Sequence, residues 1–205
     1  MNNLQKLKNN QRRIGLTGGI ASGKTTITNY IRKHKNIPIL DADDLSRELI
    51  KPNTYGYKKI LDYFGNKIID NKNNSERVID RKILRKIIFK NSESKEWIEK
   101  LLHPLIKEKM IEECSQYKNN QTIVLVIPLL FEAKFEDICT EIWLVKCPKE
   151  IQKKRLIRRD KISEKEAYDS INLQLSFEEK RKFSDIILDN SDDQNKWIKT
   201  ISELL

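Results

Sequence analysis

Residues 14–26 read IGLTGGIASGKTT, and this stretch decides the fold. A short apolar run, Ile14 to Leu16, leads into Gly18-Gly19-Ile20-Ala21-Ser22-Gly23-Lys24-Thr25, which matches G-x-x-x-x-G-K-[ST]. A segment of helical period follows from Thr26 to Lys33, so the motif has the strand, loop and helix order its chemistry needs. Glycines let the backbone turn tightly and aim successive N–H groups at phosphate oxygens, and the helix N-terminus adds the positive end of its dipole. Lys24 then supplies a point charge to the β- and γ-phosphates, and the Thr25 hydroxyl is a ligand for Mg²⁺. The competing reading is a glycine-rich turn that matches by chance, against which the flanking strand and helix weigh.

Outward from this loop, short β-branched runs alternate with longer helical stretches, the pattern of an α/β fold with a parallel sheet. Five central strands are predicted, at Ile14 to Leu16, Ile37 to Leu40, Thr122 to Ile127, Ile142 to Val145 and Ile186 to Leu188. Helix starts are marked by Ser92, by Pro148 and by two capping boxes, Ser163-x-x-Glu166 and Ser176-x-x-Glu179. Pro104 is expected to kink the helix that begins at Ser92. Between Asp43 and about Tyr117 only helical patterns and the polar loop DNKNNSER appear, so a long helical excursion separates the second and third strands.

The chain has 205 residues, 40 Lys plus Arg against 30 Asp plus Glu, and a net charge of +10. That length suits one domain with its own core. With 38% hydrophobic residues and no uncharged apolar run of membrane-spanning length, a membrane span is excluded. Cys114, Cys139 and Cys147 are odd in number and have no C-x-x-C spacing, which fits a reducing cytoplasm and neither a disulfide framework nor a zinc site. The first 13 residues lack the apolar core of a secretory signal.

The positive charge is concentrated. Residues 1–13 carry Lys6, Lys8, Arg12 and Arg13 with no acid, and residues 151–161 carry six cations against Asp160; the rest of the chain sums to +1. The first tract reads as a solvated tail. In the second, Arg155 and Arg159 lie four apart on one helical face, where a helical hairpin could fold over phosphates, or where the charges simply face solvent near a helix C-terminus. A nucleic-acid binder is the reading from another class. Aromatic residues do not interleave with the basic tracts and no binding motif is present, so nucleic acid is not an expected partner.

A second constellation, Asp41-Ala42-Asp43, lies at the end of the second strand, with Asp44 next and Arg47 one turn on. Ligands of open parallel sheets sit beyond the carboxyl ends of the strands, so a carboxylate here faces the same crevice as the phosphate loop. It could take a proton from an attacking hydroxyl or hold the metal; it could equally cap the following helix. The third strand runs out as IVLVIP-Leu129-Leu130-Phe131-Glu132, with Pro128 where many phosphate-loop proteins place an acidic metal ligand.

These residues resemble the dephospho-coenzyme A kinases. The resemblance runs from about Ile14 to Asn190 and rests on IGLTGGIASGKTT (14–26), ILDADDLSRE (39–48), DRKILRKIIF (80–89), LLHPLI (101–106), IPLLFE (127–132), QKKRLIRRD (152–160), Gln174, EEKR (178–181), SD (184–185) and DN (189–190). Many kinases share the phosphate loop; the ordered set of DAD, HP, PLLFE and DN is specific. The resemblance implies a P-loop kinase fold: a five-stranded parallel sheet flanked by helices (core 13–42 and 119–205), a helical CoA-side insertion at about 43–118 and a short helical lid at about 150–175. It implies transfer of the γ-phosphoryl of ATP to the 3′-hydroxyl of dephospho-CoA, with Mg²⁺, by a cytoplasmic monomer or weak homo-oligomer. Asp43 becomes the general base, with Thr25 and Asp43 toward metal. Lys24 and Arg155 join Asp43 in catalysis. Gly18, Gly19, Ala21, Ser22, Gly23, Lys24, Thr25, Thr26, Arg159 and Asn190 fall to ATP, and Asp41, Arg47, His103 and Glu132 to the acceptor. Without the resemblance, His103 reads as a packed histidine and Asn190 as a turn former. Ser184 stands where the family usually has Ala. The nearest alternative is another small P-loop nucleoside or nucleotide kinase.

Overall fold

The computed structural model describes residues 7, 10–70, 77–118, 121–192 and 194–205. Lys6, Lys8 and most of the DNKNNSER loop lie outside them. Contacts divide the chain into two units, one holding the residues up to Asp41 and from Cys114 onward, the other Ala42–Glu113.

The first unit is built on β1 (Arg12–Gly18), α1 (Lys24–His34) and β2 (Ile39–Asp41). The second contributes α2 (Ala42–Leu49), α3 (Tyr55–Phe64), α4 (Arg81–Lys90) and nearly all of α5 (Ser92–Ser115). The chain then returns through β3 (Thr122–Val126), β4 (Glu141–Lys146), α6 (Lys149–Asp160), α7 (Glu164–Asn172), α8 (Phe177–Arg181), β5 (Ile186–Asp189) and α9 (Gln194–Leu204). Among the described residues the five strands form one sheet in the order β2-β3-β1-β4-β5, and every neighbouring pair is parallel. Each strand overlaps the β-branched run that predicts it, but pairing sets the ends: β2 starts at Ile39 and not Ile37, β3 stops at Val126 and not Ile127, and the other three extend beyond their runs. Thus β1 reaches back to Arg12 because Arg12 pairs with Thr122.

β1 is central, so both of its faces are covered and its residues from Arg13 to Gly18 are buried. Ile14, Leu16, Val124, Val126, Trp143, Val145 and Leu188 from the sheet pack with Ile27 and Ile31 of α1 and Trp197 and Ile201 of α9. Register aligns Gly18 with Val145 and Asp41 with Val126, so the phosphate loop and Asp41 leave the sheet at the same edge.

The two arginines at the start of β1 are not part of a solvated tail. Arg12 pairs with Glu141 through its Nε, 2.5 Å from Oε1, and donates to the Leu204 carbonyl. Arg13 is buried and donates to the carbonyls of Ile138 (2.8 Å) and Gln11 (3.1 Å). Their partners are more than a hundred residues away, except Gln11, so local charge counting could not find them.

In the helical unit, Ile50, Tyr57, Ile60, Phe64, Ile68, Ile79, Leu84 and Ile98 form the core. α5 starts one residue off the sequence expectation: Asn91, not Ser92, offers the capping oxygen, accepting from the Ser94 N–H at 2.8 Å. The helix is continuous across Pro104. Both capping boxes, at Ser163 and Ser176, are present.

Candidate active site

The phosphate loop is shaped by backbone conformations that its composition allows. Gly23 has φ of 100°, in the left-handed region that costs an L side chain energy, and a Cβ there would overlap the Asn190 amide nitrogen. Gly23→Ala is therefore expected to lose about 1–3 kcal/mol of stability. It should also lose most nucleotide binding; thermal unfolding with and without ATP reads both. Ala21, at φ of 56°, also occupies this region. Strain held at a loop between two rigid elements is characteristic of a binding site.

Gly23 is the N-cap of α1, and no side chain caps that helix. The first-turn N–H groups and the dipole thus face the loop, ready for an anion. Lys24 folds back over it: its Nζ donates to the carbonyls of Gly18 (2.7 Å) and Gly19 (3.0 Å). Thr25 and Thr26 follow, both exposed. Ser22 is buried, and its hydroxyl has no hydrogen-bond partner among the described residues.

Distant parts of the chain converge on the loop. Asn190, buried at the end of β5, donates through Nδ2 to the Ser22 carbonyl at 2.8 Å and accepts from the Trp197 indole at 3.2 Å. Arg155 donates to that same Ser22 carbonyl at 3.3 Å and lies 3.4 Å from the Cys147 sulfur. Burial pushes the Cys147 thiol above its ordinary pKa, the Arg155 charge opposing it, and burial pushes Cys139 up to about 12. Neither has the thiolate character of a nucleophile.

Arg155 and Arg159, both on α6, part company. Arg155 is half-buried against the loop, whereas Arg159 is exposed and forms a two-pronged pair with Asp160. The hairpin of α6 and α7 has its own small core, Leu156, Ala167 and Ile171, and Ile20 and Ala21 of the phosphate loop pack against it. Nothing local in the sequence gives Gln174 a role, yet its Oε1 accepts from the Ile20 N–H at 2.6 Å. Glu132 sits beyond β3, its Oε1 receiving the Leu175 N–H at 3.1 Å and standing 2.9 Å from the Lys180 Nζ. Ser184 resolves its departure from the family by donating to the Lys180 carbonyl at 2.8 Å.

Asp41 is the last residue of β2 and is half-buried. In the helical unit, Asp43 is exposed in the first turn of α2, where a carboxylate suits the helix dipole. Arg47, one turn on, pairs with Asp44 at 2.5 Å, both ends well exposed. His103 is half-buried in α5, and burial lowers its pKa from the ordinary 6.5, with the Glu99 charge opposing. A histidine kept neutral by burial contributes stability that is complete above 6.5 and lost as pH falls from there through the depressed folded value. Acidification below 6.5 is thus expected to lower the unfolding temperature of the wild type more than that of His103→Gln.

Among the described residues no three His, Cys, Asp or Glu side chains cluster as metal ligands. In the first unit the hard oxygen donors are the exposed Thr25 hydroxyl at the N-terminus of α1 and the Asp41 carboxylate that ends β2. This fits Mg²⁺, which takes few protein ligands beside phosphate and water. No described helix is long and apolar enough to cross a membrane.

A half-buried glycine-rich loop, a tethered lysine and an arginine on a helical hairpin beside it belong to phosphoryl-transfer proteins generally. The relatives narrow this. The family model for dephospho-CoA kinase matches residues 12–196. The chain belongs to the dephospho-CoA kinase family. A dephospho-CoA kinase of Prochlorococcus marinus (strain MIT 9312) is 88% identical over 205 residues, all of both chains. Among solved structures, dephospho-CoA kinase from Campylobacter jejuni is 30% identical, with a TM-score of 0.68 over 95% of this chain and 97% of the other. A Thermus thermophilus structure, 27% identical, superposes with a TM-score of 0.76 over 95% of this chain and 98% of that one. The five-stranded parallel sheet flanked by helices is the P-loop kinase fold that these relatives share.

Proposed function

We propose that the chain transfers the γ-phosphoryl of ATP to the 3′-hydroxyl of dephospho-CoA, the final step of coenzyme A synthesis. The observation that carries this is the family match, which spans β1 through the start of α9 and so includes every segment the site draws on.

In this reading residues 13–42 and 119–205 are the nucleotide core, 43–118 the CoA-side insertion and 150–175 the lid. Loop amides between Ala21 and Thr26 and the Lys24 ammonium receive the β- and γ-phosphates, the Ile20 amide being held by Gln174. The acceptor hydroxyl gives its proton to the Asp43 carboxylate as its oxygen bonds to the γ-phosphorus. The bond from that phosphorus to the bridging oxygen breaks, and its electron pair leaves with ADP. Arg155, already at the phosphate loop, neutralises charge that spreads over the transferring oxygens, and Arg159 adds to it when freed from Asp160. Asp41, Arg47 and His103 position the acceptor. Thr25 and an aspartate of the DAD segment would hold Mg²⁺, which neutralises phosphate charge when bound. Catalysis is mostly placement and electrostatics. The enzyme works in the cytoplasm as a monomer or weak homo-oligomer.

A coupled assay of ADP release tests this with dephospho-CoA and nucleoside monophosphates in parallel. Turnover with dephospho-CoA and little with monophosphates is expected; the reverse preference overturns the reading.

A further inference from the structure

Lys180 is a buried charge with no part in the proposed chemistry. It is 1% exposed, and Glu132 is the acid beside it. Leaving such a cation without its counter-ion is strongly unfavourable, so the pair constrains whatever it is attached to. The same Glu132 oxygen holds the Leu175 N–H, in the turn between α7 and α8. The preceding residue in that turn is Gln174, whose side-chain oxygen takes the Ile20 N–H of the phosphate loop. A continuous run of contacts therefore leads from a buried ion pair, through one turn, to a backbone amide of the anion cradle.

Its place matters. Gln174, Leu175, Ser176 and Lys180 line a cavity of about 250 Å³ that is also walled by Gly19 of the loop and by Gln152. Gln152 is itself fixed, donating to the Cys147 carbonyl at 2.7 Å. The lid hairpin is rooted on the loop at both ends: Arg155 of α6 bonds Ser22, and Gln174 just after α7 bonds Ile20.

We propose that Gln174 is a positioning residue for nucleotide binding, and that Glu132 and Lys180 act through it by holding the α7–α8 turn. The pair clamps the turn, the turn presents Gln174, and Gln174 fixes the direction of the Ile20 amide and hence of its neighbours that face the phosphates. Glu132 on this account supports the nucleotide side and does not touch the acceptor. The inference rests on the ATP-binding part of the proposed function.

The test is ATP affinity by titration calorimetry, with the KM for ATP and for dephospho-CoA, for the wild type, Gln174→Met, Glu132→Gln, Lys180→Met and the double variant Glu132→Gln with Lys180→Met. Gln174→Met keeps the volume and removes the acceptor. It should weaken ATP binding about five- to tenfold, the worth of one well-placed hydrogen bond. The KM for dephospho-CoA and the unfolding temperature should stay near wild type. Each single charge removal should weaken ATP binding. The double variant should recover it, because no buried charge is left alone and the amide oxygen introduced by Glu132→Gln still accepts from the Leu175 N–H. Unchanged ATP affinity in Gln174→Met overturns the proposal, as does a double variant no better than its parents. A raised acceptor KM in that double variant would make Glu132 a substrate ligand and overturn it too. A wild type that binds no ATP defeats the functional reading along with this one, whereas tight wild-type binding with an indifferent Gln174→Met defeats this one alone.

Discussion

Asp43→Asn is expected to lower kcat with dephospho-CoA by about 10²–10⁴. ATP affinity should stay near wild type. Asn keeps the shape of the side chain and cannot accept the proton of the attacking hydroxyl. The cost to the fold is small: Asp43 is exposed, and losing one charge from the first turn of α2 removes about 0.3–1 kcal/mol of dipole interaction. Single-turnover measurement of the chemical step isolates the effect from product release. An unchanged step removes Asp43 from the role of base. A parallel loss of ATP binding would instead place it with the metal and phosphates.

Lys24→Ala should reduce kcat/KM for ATP by about 10²–10³, the range for removing one preorganised charge donor to a reacting group. Two effects combine. The ammonium that meets the β- and γ-phosphates is gone, and so are the two bonds by which Lys24 gathers the Gly18 and Gly19 carbonyls. The rest of the cradle remains, since Asn190 and Arg155 still hold Ser22 and Gln174 still holds Ile20. The unfolding temperature is therefore expected to change little without nucleotide, while the stabilisation that ATP gives the wild type largely disappears. Lys24→Arg is not a rescue, because a planar fork cannot reproduce a compact charge in the same turn.

How much of this could be read from the chain depends on the range of each interaction. The phosphate loop, the helix after it and the two capping boxes were legible because every partner lies within a few residues. Five parallel strands were legible from their β-branched runs, but not their ends, which are set by neighbours such as Thr122 opposite Arg12. The charge pattern misled at Arg12 and Arg13. Counting gave a basic tail, whereas the fold supplies Glu141 and the Ile138 carbonyl. Arg155 and Arg159 looked equivalent from their spacing, and only the tertiary arrangement puts one on the loop and the other on Asp160. Gln174 stood within a recognisable terminal pattern, yet nothing local could tie it to an amide 154 residues earlier.

The central claim is that the chain phosphorylates the 3′-hydroxyl of dephospho-CoA, and locating the transferred phosphate tests it most directly. Purified protein is incubated with γ-labelled ATP and dephospho-CoA, with Lys24→Ala as control, and the position of the label is determined in the product. Label on the 3′-oxygen of the ribose, giving a product that a CoA-dependent enzyme accepts, is the predicted result. No label in the acceptor, or label at another position, would contradict it.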